Sequence, residues 1–374
     1  MPVMPKNIPD CPLPTSEAAP GASEADPWVD PATDKVGQRI EAHYRSLRNS
    51  SPQECGKRRF ALPGCDLEVH FAGRSVADAL TAAFGHLATD EPSHSGLQLE
   101  WQIGDSTLAR GFPMLPPPPR PLHPLGSLHR NEANTILVDR RHGFATVLDA
   151  ASMRLTTIAD GLDSIDTDLA AKPLLRFLLS LLLKQNIVLC HAALIGGPER
   201  GLLVTGQGGI GKSTITAAAL VAGAGFCSDD FVALEWRDGE LIGHCLFATL
   251  MLTGDQMLRF PALARHATQL RADTFGKYLV PLGPHFGGQI RRSLRINAVA
   301  VPQIMATAQS SLVPGRRSAM LRAITPSTLV ASPWREAERT RFLFDHVASL
   351  APLIYQSGSD YSAIAEPLRT RYGF

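Results

Sequence analysis

Two patterns of apolar spacing divide the chain, and they change over near residue 165. In the first part apolar residues come in short runs or alternate with polar ones, the period of a half-buried strand. Residues 67–71, 97–103, 135–139 and 144–148 read as strands on that basis, the last two joined by Arg140-Arg141-His142-Gly143, which suits a hairpin turn. A helix is predicted over 34–47. Residues 114–124, with four consecutive prolines and two more, read as a loop or extended spacer. Residues 1–33 are rich in Pro, Ser, Ala and acidic side chains without any period, so a disordered tail is expected there.

Beyond 165 strands alternate with helices, the order of an α/β sheet. A helix over 169–184 leads in, followed by strands over 187–195 and 201–205 and a helix over 212–222 closed by Gly223. A strand over 226–230 ends in two acids, and strands over 232–236 and 241–245 form a hairpin about Asp238-Gly239. Farther on, 254–270 reads as helical, 278–281 as extended and 296–304 as a strand. Ser332-Pro333 reads as a cap with a first-turn proline, opening a long amphipathic helix through Phe342, Val347 and Leu350. The expected organisation is a tail over 1–33, a small, mainly-β accessory domain over 34–165 and an α/β domain over 166–374.

Composition narrows the class. Thirty-six basic residues stand against 35 acidic ones, with a pI near 7.7, so there is no broad basic face for nucleic acid. The six cysteines are widely spaced, without the pairs of a zinc or redox site, and read as reduced thiols of a cytoplasmic protein. The N-terminal segment lacks the charged-then-apolar order of a signal peptide, and no apolar run reaches 18 residues. The nearest candidate, 169–183, carries Lys172, Pro173 and Arg176 and reads as a buried helix, so no membrane partner is expected.

The chemistry concentrates between residues 188 and 236. After the apolar run 201–205 come Gly206, Gln207, Gly208, Gly209, Ile210, Gly211, Lys212 and Ser213, which fit G-x-x-x-x-G-K-[ST] at every specified position, with Thr214 next. Glycines let backbone N–H groups converge on phosphate oxygens, and the helix that follows adds its dipole. In such a loop the lysine, here Lys212, reaches the β and γ phosphates, and the hydroxyl of Ser213 is offered to Mg²⁺. Asp229 and Asp230, at a strand end 15 residues on, supply one carboxylate for the metal and one for the acceptor; a solvated strand end or a cap is the plainer alternative. His191 lies in an apolar strand, where a histidine is ordinarily a core residue. Past Lys184 the chain uses arginine except at Lys212 and Lys277, so Lys277 is a candidate contact to nucleotide or acceptor, against drift on a loop.

At these residues the chain resembles the HPr kinase/phosphorylase family and its shorter serine-kinase relatives. The pattern is a strand with His before a small residue (His191-Ala192), the phosphate loop (Gly206 to Ser213), a glycine turn (Gly223-Ala224-Gly225) and a strand ending in Ser228-Asp229-Asp230. The resemblance covers about 45 residues tightly and the C-terminal half loosely. It implies a variant phosphate-loop fold, similar to phosphoenolpyruvate carboxykinase, for the C-terminal domain. It implies ATP and Mg²⁺ bound through Lys212 and Ser213, with Asp229 as the base tuned by His191 and Asp230 assisting the metal, or the two acids exchanged. The implied partner is a peptide or protein bearing a serine; shorter relatives phosphorylate the C-terminal serine of lasso-type precursors, and the β-rich N-terminal region would help to hold that substrate. Many members form hexamers and the shorter ones need not, so a homo-oligomer stays open. The downstream Glu-Arg-Gly-rich signature of the bifunctional enzymes has no match here, where the chain reads Met251-Leu252-Thr253-Gly254-Asp255, which argues against dephosphorylation. The rival expectations are a small-molecule or carboxykinase-like phosphotransferase and a non-catalytic nucleotide-binding module.

Overall fold

Val36, Ile40 and Tyr44 recur at four-residue spacing and form one buried stripe along helix α1 (Pro31–Ser50). A computed structural model of the chain describes residues 31–50, 52–91, 96–106, 127–130, 134–139, 142–268, 270, 276–330 and 336–374. Residues 1–30 lie outside the described residues, but 31–33, expected in the tail, are helical. Pro31 opens the helix, where its missing N–H has no helical partner to lose.

The stripe of α1 packs on a seven-stranded sheet: β1 (Cys55–Leu62), β2 (Cys65–Ala72), β3 (Leu97–Asp105), β4 (Ser127–Arg130), β5 (Asn134–Asp139), β6 (Phe144–Asp149) and β7 (Arg154–Ala159), in spatial order β1-β2-β3-β7-β6-β5-β4. Only β3 runs parallel to its neighbours, β2 and β7. The β5–β6 pair is the expected hairpin, with Gly143 at φ +69°; Arg140 and Arg141 lie outside the described residues, as do 114–124. The opposite face is covered by α2 (Arg74–Thr81), α3 (Thr167–Ala171) and α4 (Leu175–Leu181), whose Val76, Leu80, Ala170, Leu178 and Leu182 beyond share one core with Leu67, Leu99 and Trp101. That core also takes in Leu189, Phe231, Phe247 and Met251 from the second half of the chain.

The helix expected over 169–184 is broken. Pro173 disfavours helical backbone at Lys172, which sits at φ −138°, and Leu174 turns left-handed at φ +60° before α4 begins. The break is what places Lys172, as described below.

The second sheet holds β8 (Ile187–Gly196), β9 (Arg200–Thr205), β10 (Gly225–Ser228), β11 (Phe231–Arg237), β12 (Glu240–His244), β15 (Ser293–Ile304), β16 (Ser311–Pro314) and β17 (Ala351–Ser357). Between them β13 (Thr249–Leu252) and β14 (Tyr278–Pro281) form a separate ribbon. The pairing path β8–β11–β12–β15–β9 returns to β8. The sheet is mixed: β15 is parallel to β9 and β17, and the other pairs are antiparallel. The alternating order led to an α/β sheet, and the architecture is α/β, but hairpins replace most of the expected crossovers. Asp238 and Gly239 both have positive φ, as the tight β11–β12 turn requires.

Helix α5 (Lys212–Val221) follows β9 and packs on β8. The helix expected over 254–270 is two short ones, α6 (Gly254–Arg259) and α7 (Pro261–Ala264), divided at Phe260-Pro261, and Thr268 then bridges to Leu279. After α8 (Gly283–Phe286) and β15 come α9 (Arg317–Val330), α10 (Glu336–His346) and the terminal α11 (Glu366–Tyr372). The expected cap Ser332-Pro333 lies outside the described residues, and α10 stops at His346, short of Leu350, in a 3-10 turn over Val347–Ser349. Among the described residues no helix is long and apolar enough to cross a membrane.

Candidate phosphate-binding site

The loop between β9 and α5 is shaped by its glycines. Gly209 and Gly211 hold φ of +82° and +106°, left-handed backbone that L side chains rarely adopt, and a Cβ on either would meet open space. Gly208 also faces open space, so this side of the loop is a cradle rather than a packed turn. The first turn of α5 aims its N–H groups into the same cradle.

Lys212 is buried, and its Nζ donates to the carbonyl oxygens of Gly206 (2.8 Å) and Gln207 (3.2 Å). Burial pulls this lysine below its ordinary pKa, while the charges of Asp230 and Asp229 work in the opposite direction. Thr214 accepts a hydrogen bond from Gln256 Nε2 (2.7 Å), and Gln256 closes a capping box with Thr253 at the start of α6.

The two acids follow β10, and their side chains diverge. Ser213 Oγ donates to Asp229 Oδ2 at 3.1 Å, while Asp229 Oδ1 is buried without a hydrogen-bond partner. Asp229 is only 4% exposed; burial first, and then repulsion from Asp230, push its carboxyl up to about 6, against the charge of Lys277 and the Ser213 hydrogen bond.

Asp230 faces β8 instead. Its Oδ1 accepts from His191 Nε2 at 2.8 Å, and its Oδ2 is bound by Lys172 Nζ, which reaches Asp168 Oδ1 at 2.6 Å. Burial opposes the charge on Asp230, but the Lys172 ammonium and the His191 hydrogen bond outweigh it and hold this carboxyl well below the usual range. The Phe231 ring lies 5.3 Å from the His191 ring and 5.9 Å from Lys172 Nζ, walling the pair on one side.

The expected residues therefore meet. His191, the loop from Gly206 to Thr214, Asp229 and Asp230 come together near the start of α5: Ser213 is bonded to Asp229, and His191 to Asp230, the next residue in the chain. Lys277 lies near enough for its charge to act on both Lys212 and Asp229. Of the two arrangements the resemblance left open, the contacts match the exchanged one: His191 contacts Asp230 and Ser213 contacts Asp229. Phe231 of β11 pairs with His191 of β8, and residues 229 and 230 form a bend outside both strands, where side chains need not alternate; Asp230, next to Phe231, is the acid bonded to the imidazole.

Three participants escaped the sequence reading: Lys172, Asp168 and Gln256. A signal for the first was present. The chain has only seven lysines, and Lys172, Lys212 and Lys277 all serve this cluster. Two arginines of the basic run 291–295 have partners of their own, Arg295 with Glu240 (2.7 Å) and Arg291 with the Gly288 carbonyl (2.8 Å).

No family model and no curated protein matches the chain. Among solved structures, the HPr(Ser) kinase/phosphatase from Coxiella burnetii aligns with 49% of this chain and 95% of its own at 14% identity, with a TM-score of 0.30.

Proposed function

We propose that the chain is an ATP- and Mg²⁺-dependent phosphotransferase, a kinase of the HPr kinase-like type that phosphorylates a serine hydroxyl of a peptide or protein. The observation that carries this reading is that two adjacent acids engage the two halves of the site, Asp229 bonded to Ser213 of the glycine cradle and Asp230 bonded to His191.

The residues fit the groups the reaction needs. A buried carboxylate oxygen without a partner, next to a serine hydroxyl, is a hard oxygen donor set of the kind Mg²⁺ takes together with phosphate oxygens. When bound there, the metal neutralises charge on the β and γ phosphates. Lys212 exchanges its loop carbonyls for phosphate oxygens, and the α5 N-terminus adds its N–H groups.

Asp229 is therefore assigned with Ser213 to the metal, and Asp230 with His191 to the acceptor. An ionised Asp230 takes the Nε2–H of His191, which leaves Nδ1 as the lone pair of the dyad. The acceptor oxygen attacks the γ phosphorus, the bond to the β–γ bridging oxygen breaks, ADP leaves, and the hydroxyl proton passes to His191 Nδ1. The test is incubation of the full chain with Mg²⁺, γ-labelled ATP and serine-bearing peptides, read by ADP release and phosphoserine mass spectrometry. Wild-type transfer that Asp230→Asn lowers on the order of a thousandfold, to a residual measurable rate, supports the reading; label that never appears on a hydroxyl, with no ADP released, overturns it.

A further inference from the structure

We infer that Lys172 is a positioning residue for the transfer, a clamp that fixes Asp230 so that His191 is aimed in one orientation. The inference rests on the kinase reading above and adds a residue that no sequence motif assigns. Lys172 is 8% exposed, and its ammonium bridges Asp168 on α3 and Asp230 in the bend between β10 and β11. A buried lysine with two carboxylates has little freedom to leave them.

The local backbone is built to deliver it. Asp166 caps α3 by accepting from Leu169 N (2.7 Å), Thr249 Oγ1 holds the Ala171 carbonyl (2.9 Å), and the chain breaks at Pro173 with Leu174 in left-handed backbone. A non-glycine residue in that conformation is held against its preference by what surrounds it. A continuous helix through 169–184 would keep Lys172 on the regular helical path that the break abandons.

The consequence for Asp230 is geometric. With Oδ2 committed to Lys172, the carboxylate plane is fixed and Oδ1 has one role, to receive His191 Nε2–H. The imidazole is then set in a single tautomer and ring orientation, with Phe231 against its face. The ion pairs of Lys172 go to Asp168 and Asp230 and not to the loop or Ser213, so nucleotide binding is separable from this function.

The experiment uses full-length Lys172→Met, Lys172→Arg and Asp168→Asn, each alone and with Asp230→Asn. Two readouts are taken: ¹⁵N-histidine spectra, with His191→Gln assigning the resonance, and ADP release from Mg·ATP with serine peptide or water as acceptor. In wild type the His191 signal is expected as one Nε2–H tautomer, and in Lys172→Met as an exchanging mixture. Turnover in Lys172→Met is expected to fall on the order of a hundredfold with KM for ATP held within about twofold. Lys172→Arg is expected to retain most of it. Lys172→Met on top of Asp230→Asn should add no further loss, because the lysine acts through that carboxylate.

Should Lys172→Met not fold, Asp168→Asn, which leaves the Lys172–Asp230 pair in place, is expected to lower turnover about tenfold in the same KM-independent way. A locked His191 tautomer in the variants, or losses that multiply with Asp230→Asn, would overturn the clamp and leave the kinase reading standing. A wild type whose His191 is locked but which releases no ADP under any acceptor would overturn the kinase reading, and the clamp's catalytic purpose with it.

Discussion

Asp229→Asn should make the ligand-free protein more stable at neutral pH while destroying the metal-dependent transfer proposed above. The carboxyl is 4% exposed, one of its oxygens has no partner, and its pKa is raised from 3.8 to about 6 by burial and by Asp230. That rise is worth on the order of 3 kcal/mol against the ionised form. Because the folded value lies above the unfolded one, the carboxyl favours the fold fully below about pH 4, loses that contribution as pH rises from 4 through 6, and is a net cost above. Asparagine keeps an oxygen for the Ser213 hydroxyl and removes the charge, placing its amide where Oδ1 already lacked a partner. The variant is therefore expected to exceed wild type by up to about 3 kcal/mol at pH 8, and to approach it near pH 4.5. The assay is urea unfolding at the two pH values without divalent ions, and thermal melting should follow with a rise of roughly 5 °C at pH 8. Adding Mg²⁺ and ADP should then stabilise wild type by more than the variant, since only wild type offers the carboxylate. Equal midpoints at pH 8, or a variant that is less stable there, would show that Asp229 is not the strained group this reasoning makes it.

The other expectations are more direct. Lys212→Ala should weaken Mg·ATP binding at least tenfold by calorimetry, since it removes the cation held over the loop. Gly211→Ala places a Cβ on backbone at φ +106°, so about 1–2 kcal/mol of stability should be lost in unfolding experiments, together with nucleotide affinity. Chelating divalent ions with EDTA should abolish ADP release and leave far-ultraviolet circular dichroism unchanged, because among the described residues no group of three or more His, Cys, Asp or Glu side chains is placed to hold a structural metal.

What could be read from the sequence follows the strength of each local signal. The phosphate loop was legible because its backbone demands glycine at fixed places, and the hairpin at Asp238-Gly239 because two positive φ values need such residues. Strand β1 was not, since it is an edge strand whose Lys57 and Arg59 pair with Glu68 on β2, leaving no apolar alternation to detect. The helix over 169–184 had the right apolar content on both sides of Lys172-Pro173, so only the proline marked the break. The pairing of His191 with Asp230 depends on the register of β8 against β11, a long-range fact that no local pattern encodes.

Under the proposed function, the electrostatics of the cluster favour a metal–nucleotide pair over either component alone. Lys212 is a buried cation pulled toward losing its proton, held by neutral carbonyls. Asp229 is a buried carboxyl pushed toward gaining one, with an oxygen that nothing satisfies. These are opposite defects close together, and a bare triphosphate would relieve the first while aggravating the second. A bare dication would do the reverse. Magnesium bound to triphosphate presents an anion to Lys212 and a cation to Asp229 in one step, so the two binding events should be strongly coupled. Asp230 acts on both groups through its charge but offers the metal no free oxygen, because Lys172 and His191 occupy its two oxygens. Calorimetry should accordingly find ADP binding at least tenfold tighter with Mg²⁺ than without, and that ratio should collapse in Asp229→Asn but persist in Asp230→Asn.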